Sequence, residues 1–248
     1  MDVISIKGLS KAFGQTQVLH GLDLDIEPGL LHGLIGQGGS GKTVLFRIIA
    51  TLLDPDKGKI MLFGEDTGNM KPAELNKVRQ RIGFQFQNLA LFDFLNVLNN
   101  VAFPITHGQP DRLTPEINQR VSDALNKVGL PGIEDQEIKS LSGGMKRRVA
   151  MARAMINTPD LLILDDPSAG LDPVTSSRIF RLVRRNIQET KNTVLLATQD
   201  VDRLIKIADR IHILYNGNVR FSGTVEDIWR SKDPMVREFF PKQTQDHV

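Results

Sequence analysis

Gly36-Gln37-Gly38-Gly39-Ser40-Gly41-Lys42-Thr43 has the spacing G-x-x-x-x-G-K-[ST]. Glycines at these intervals let successive backbone amides turn toward one point, which suits the oxygens of a phosphate chain. A lysine at the sixth step beyond the first glycine reaches the β- and γ-phosphates as a point charge. The hydroxyl after it suits a Mg²⁺ ligand. Gly36, Gly38, Gly39, Ser40, Gly41, Lys42 and Thr43 are therefore read as binding a nucleoside triphosphate, with Thr43 also on the metal. Asp165 closes the apolar run Leu161-Leu162-Ile163-Leu164. A carboxylate at the carboxyl end of a strand is where such a site holds its Mg²⁺. Ser142 precedes Gly143-Gly144-Met145. Two readings stay open for it: a helix N-cap, or a second grip on phosphate.

A phosphate loop works only between a strand and a helix, and both are legible. Leu30 to Ile35 is a short apolar run, and Lys42 to Leu53 has helical character ending at Asp54-Pro55. Leu22, Leu24 and Ile26 alternate with Asp23 and Asp25, the period of a half-buried strand. Further strands are expected near 59–63, 82–86, 161–164 and 193–197. Helices are expected over 96–102, 115–128, 142–156 and 173–188, with a short one at 200–208. Asn216-Gly217 predicts a hairpin. Apolar strands between helices give an α/β class. The expected organisation is a core α/β lobe from residues 1–87 and 158–241, a helical subdomain at 88–157 and a loose tail at 242–248.

The 248 residues carry 31 Lys+Arg against 29 Asp+Glu. A net charge of +2 is too small to argue for nucleic acid, and none is expected as a partner. The basic clusters Lys146-Arg147-Arg148 and Arg181, Arg184, Arg185 are read as solvated helix faces. There is no Cys, which excludes disulfides, Cys-ligated zinc and iron–sulfur clusters. His20, His32, His107, His212 and His247 are spread singly, so no transition-metal site is expected. No apolar run approaches the roughly 20 residues that span a bilayer, so a membrane role is expected to work through another chain.

Taken with the phosphate loop and Asp165, three further strings make the sequence resemble the nucleotide-binding subunits of ABC transporters over almost its whole length. Gln87 in Phe86-Gln87-Asn88 matches the Q-loop, Ser142 to Met145 the signature motif, and Ser168-Ala169-Gly170-Leu171-Asp172 the D-loop. The resemblance implies a P-loop NTPase fold of the ABC type, with a RecA-like core, a small antiparallel β part and a helical subdomain. ATP and Mg²⁺ are the implied ligands, with Phe13 stacking on adenine and Gln87 near metal and γ-phosphate. It also implies two cassettes meeting head to tail, so that Ser142, Gly143 and Gly144 grip the partner's ATP. The second cassette is an identical or a different chain. An integral membrane permease is the further partner, and the implied location is peripheral, on the cytoplasmic face of the inner membrane. Finer strings are similar to the Mce/Mla-type lipid-transport ATPases: Phe86 to Asp93, Val101-Ala102-Phe103-Pro104, Leu171 to Ser176 and Asp233 to Phe239. They imply phospholipid cargo and an Mce-domain lipid-binding protein.

Two positions depart from the family pattern. The residue after the Mg²⁺ aspartate, normally the Glu that activates the attacking water, is Asp166. The position of the usual His in Thr198-Gln199-Asp200 is Gln199. Aspartate is shorter by about 1.5 Å of reach, and glutamine carries neither charge nor proton at neutral pH. The expectation is ATP binding and pairing with slow hydrolysis, in which Asp166, Gln199 and Gln87 do the chemistry. The competing readings are a degenerate half of an asymmetric pair, and an ABC ATPase not coupled to transport.

Overall fold

Residues 2–240 are described by a computed structural model, and the chain divides at 69/70 and at 195/196 into two units. The expected tail at 242–248 lies outside the described residues. In chain order the first unit holds β1 (Ile4–Phe13), β2 (Thr16–Ile26), β3 (Leu31–Ile35), α1 (Lys42–Ile49), β4 (Lys57–Leu62) and β5 (Glu65–Asp66). The second holds α2 (Pro72–Gln80), β6 (Ile82–Gln85), α3 (Val97–Thr106), α4 (Pro115–Lys127), α5 (Gly143–Met155), β7 (Leu161–Asp165) and α6 (Pro173–Thr190). Strand β8 (Thr193–Ala197) crosses the second division. Then the first unit resumes with α7 (Val201–Leu204), β9 (Arg210–Tyr215), β10 (Asn218–Gly223), α8 (Val225–Arg230) and α9 (Pro234–Phe239).

In the first unit, β2-β1-β4-β5 form an antiparallel sheet. Ile4 lies opposite Ile26 and Leu62, and Ile6 opposite Leu24 and Ile60, so alternate residues of three strands meet in one buried apolar layer. The same unit carries the strand run β10-β9-β3. Strands β3 and β9 are parallel, with Ile35 beside Ile213. Strands β9 and β10 are antiparallel about Asn216-Gly217, both at positive φ (48° and 69°), as a two-residue hairpin turn demands.

In the second unit the run β8-β7-β6 is built on a parallel pair, Ile82 beside Leu161 and Gln85 beside Leu164. The five residues of β7 are all buried, which fits a strand covered on both faces. Val97, Val101, Val121, Leu125, Val149 and Ala150 form the apolar seam of α3, α4 and α5. The α/β expectation holds, with local corrections. Helix α1 ends at Ile49, because Thr51 turns to a φ of 55°. Helix α3 continues past Pro104 to Thr106, giving up the N–H that would reach the carbonyl four residues back. The expected helix at 200–208 is one turn, Val201–Leu204. No helix is long and apolar enough to cross a membrane among the described residues.

Candidate functional site

The first unit holds the glycine-rich loop. Strand β3 delivers Gly36 and α1 departs from Lys42. A Cβ at Gly36 would lie 2.3 Å from the Leu214 carbonyl oxygen and 2.6 Å from Ser40 Oγ, so only glycine fits between β9 and the loop. Gly41 is the N-cap of α1 at a φ of 101°, a region closed to side chains. Its turn sends the first amides of α1 out of the helix end without a side-chain cap. Lys42 folds back over the loop: Nζ donates to the carbonyls of Gly36 (2.8 Å) and Gln37 (2.9 Å) and to Ser40 Oγ (3.3 Å). The ammonium is thus held over the loop beside the uncapped N-terminus of α1, an arrangement that can take an anion. Gly38 and Gly39 are exposed at its rim, and Thr43 is half-buried in the first turn of α1.

Phe13, at the end of β1, is 49% exposed, with Lys11 Nζ 5.6 Å from its ring centroid. An aromatic face open to that degree can take a flat ring. Gln199 is exposed between β8 and α7. The residues on either side of it are fixed: Thr198 is buried and its Oγ1 accepts from Asp200 N at 3.0 Å, while Asp200 caps α7 and ion-pairs with Arg203.

The second unit holds the remaining candidates. Asp165 ends β7 and is 3% exposed. Asp166 follows, half-buried, with a φ of 48°. Its carbonyl accepts from Ala169 N (3.2 Å) and from Arg147 Nη1 (3.4 Å). Ser142 is the N-cap of α5, its Oγ accepting from Met145 N at 3.3 Å. It is exposed, so capping leaves room for a ligand at the same helix end. A Cβ on Gly144 would come within 3.0 Å of Thr175 Cγ2. Gln87 is exposed in the turn after β6. The following loop is pinned at two places. Buried Asn100 donates through Nδ2 to the carbonyls of Phe92 (3.0 Å), Leu95 (3.1 Å) and Asn96 (3.0 Å) and accepts from Phe92 N (2.9 Å). Arg153 donates to the carbonyls of Leu89 and Ala90, two residues at positive φ, and its guanidinium lies 6.0 Å from the Phe92 ring centroid. Burial pulls the Arg153 guanidinium down to about 10.

The solvated-face reading fails for one basic cluster. Arg148 is 9% exposed and closes α4, donating to the carbonyls of Val128 (3.2 Å) and Gly129 (2.8 Å). Arg147 is half-buried against Asp166. Orphan carbonyls at a helix end and at a turn take these guanidinium groups out of solvent. On α6, Arg181 and Arg185 are exposed as expected, while Arg184 is half-buried.

A family model described as "ABC transporter" matches residues 19–169. The chain is 37% identical over 237 residues to the sulfate/thiosulfate import ATP-binding protein CysA of Yersinia pseudotuberculosis, covering 94% of this chain and 63% of that one. It is 35% identical to the intermembrane phospholipid transport system ATP-binding protein MlaF of Haemophilus influenzae, covering 100% of this chain and 93% of that relative. The chain thus spans less than two thirds of the length of the CysA relative. Among solved structures, it superposes on a dimeric bacterial ABC transporter cassette with a TM-score of 0.82 at 29% identity, covering 90% of this chain and 98% of that one. A post-hydrolysis state bound to ADP and Pi of the same cassette gives 0.81.

Proposed function

The chain belongs to the ABC transporter family, and from that premise we propose that it is the ATP-binding and ATP-hydrolysing subunit of a transporter whose cargo is lipid. The observation that carries the nucleotide assignment is the loop in which Gly36 admits no Cβ and Lys42 Nζ lies over two carbonyls at 2.8 and 2.9 Å. Here Gly36, Gly38, Gly39, Ser40, Gly41 and Lys42 take the phosphate chain of ATP, and the half-exposed ring of Phe13 takes adenine. Ser142, Gly143 and Gly144 take the γ-phosphate of a second cassette's ATP, a role the exposed N-terminus of the 13-residue α5 suits.

The donors assigned to Mg²⁺ are the hydroxyl of Thr43, the amide oxygen of Gln87 and the carboxylate of Asp165, an all-oxygen set that fits this ion. When bound, Mg²⁺ supplies charge neutralisation on the phosphates. The chain's own residues do the rest. Asp166 orients the attacking water and accepts its proton, and Gln199 and Gln87 donate amide hydrogen bonds to γ-phosphate oxygens or to that water.

For the cargo, support comes from the 35% identity to MlaF across the full chain and from the strings around Phe86–Asp93 and Leu171–Ser176. On this reading the chain sits peripherally on the cytoplasmic face of the inner membrane, with a permease, a second cassette and an Mce-domain lipid-binding protein. The relative that imports sulfate or thiosulfate is equally similar in identity, so the test must read cargo directly. Tagged chain drawn from its own host's membranes is expected to bring down a permease and an Mce-domain protein. The purified assembly is expected to move phospholipid between vesicles only with ATP. A sulfate or amino-acid permease in their place overturns the cargo, and recovery without any integral membrane chain overturns the transporter assignment.

A further inference from the structure

Asp166 poses a reach problem that its backbone and one neighbouring side chain address. Its φ of 48° lies in the left-handed region, uncommon for a residue with a side chain although aspartate enters it more readily than most. Two donors converge on its carbonyl: Ala169 N at 3.2 Å, closing the turn after β7, and Arg147 Nη1 at 3.4 Å, from the second turn of α5. Fixing that carbonyl fixes the peptide plane and so the direction in which Cβ leaves residue 166. A glutamate can make up a misdirected Cβ with an additional torsion. An aspartate, with one fewer, has only the few χ1 rotamers about a fixed Cα–Cβ bond with which to place its carboxylate.

Arg147 is half-buried, and burial lowers its hold on the proton while the facing Asp166 carboxylate raises it. Arg147 stands five residues after Ser142 on the same helix, so one rigid element joins the candidate γ-phosphate grip to the candidate water-activating residue.

We propose that Arg147 is a positioning residue for ATP hydrolysis, holding the Asp166 backbone and carboxylate in the orientation that lets a short acid serve where the family carries a longer one. This rests on the assignment of Asp166 as the water-activating carboxylate. The role is indirect: Arg147 acts through Asp166 and touches no substrate.

The test is single-turnover hydrolysis of labelled Mg·ATP by the full chain in its membrane assembly, a format that reads slow chemistry. Arg147→Gln is expected to lower the hydrolysis rate about tenfold with the half-saturating ATP concentration unchanged within about twofold, because the interaction acts on the chemical step. Arg147→Lys is expected to recover about a third or more of the wild-type rate, since it restores the charge. In an Asp166→Glu background, Arg147→Gln is expected to cost less than about threefold, a non-additivity that a merely structural role does not produce. Equal losses in both backgrounds, an unchanged rate in Arg147→Gln, or a parallel loss of ATP affinity overturns the proposal. If Arg147→Gln does not fold, judged by its melting profile, Arg147→Lys in the two backgrounds decides by the same non-additivity. Asp166→Asn separates the premise: wild-type hydrolysis in that variant removes the assignment of Asp166 itself, whereas its loss beside an unaffected Arg147→Gln removes only the role of Arg147.

Discussion

Asp166→Glu adds one methylene, about 1.5 Å of reach, at a position whose backbone is held at a φ of 48°. Gln199→His adds a group that titrates near neutrality where an exposed amide now stands. Both substitutions act on the attack of water and leave the phosphate loop untouched. If hydrolysis is slow because these two groups fall short, the double variant gains turnover. We expect a rise of about tenfold or more in steady-state ATPase of the assembled transporter, since misplacement near 1 Å can cost about a hundredfold. A wild-type rate already near the ordinary enzyme value of about 10 s⁻¹, with no gain in the double variant, shows instead that the short acid is fully effective. In that case the backbone of residue 166 has made up the missing length, and Arg147 becomes the first place to look for how.

Strands β3 and β9 carry a buried pair of hydrogen-bonded histidines, His32 and His212. His32 Nε2 lies 2.9 Å from the Glu27 carbonyl, which can only accept, so that nitrogen donates. Nδ1 of neutral His32 then accepts from His212 Nε2 at 3.0 Å, and His212 Nδ1 accepts from Ser222 Oγ at 2.9 Å. Every partner is satisfied with both rings neutral. Burial, then the neighbouring His32 and Arg210, pulls His212 down to about 3. Burial also lowers His32, against the opposing pull of Glu27 and Asp209 and with that of Arg210. A histidine whose folded pKa is depressed contributes stability that is complete above its unfolded value, about 6.5, and is lost as pH falls toward the folded value. The unfolding free energy from urea titration, and the midpoint with it, should therefore drop between pH 7 and pH 5, His212 contributing a slope approaching about 1.4 kcal/mol per pH unit and His32 adding in the same direction, and His212→Gln should reduce the drop. A midpoint independent of pH over that range contradicts the assignment of neutral rings. None of this was visible in the sequence, where the two histidines stand 180 residues apart. The phosphate loop and the apolar strand ending at Asp165 were legible because each is a contiguous string whose chemistry is local. Helix α2 is not legible in the sequence because its pattern is polar, with Val78 its one buried residue. The burial of Arg147 and Arg148 is not legible because a basic run on a helix looks the same whether it meets water or the carbonyls of a distant turn, and Arg153 stands alone in an otherwise apolar stretch with nothing in the sequence to tie it to Leu89 and Ala90.

At the scale of the whole chain, nucleotide binding must appear as stability, because a ligand that binds only the folded state shifts the folding equilibrium by mass action. Mg·ATP at about a hundred times its dissociation constant contributes about 2.7 kcal/mol, which for a chain of this size corresponds to a rise of roughly 5–10 °C in the melting midpoint. Pairing of cassettes around the nucleotide would add to that rise and make it depend on protein concentration. Lys42→Ala removes the ammonium that lies over the Gly36 and Gln37 carbonyls, and with it the charge that a triphosphate meets in the loop. The variant is expected to melt close to the wild type without nucleotide, since these hydrogen bonds lie at the surface of the loop, yet to show less than about a third of the ATP-dependent rise and no ATP-dependent dimer in light scattering. The comparison is internal to each protein, so a modest cost of the substitution to the empty fold does not obscure it. Undiminished thermal protection and pairing in Lys42→Ala would mean that the loop does not carry the nucleotide, and the roles assigned to Thr43, Asp165 and Asp166 would lose their common substrate.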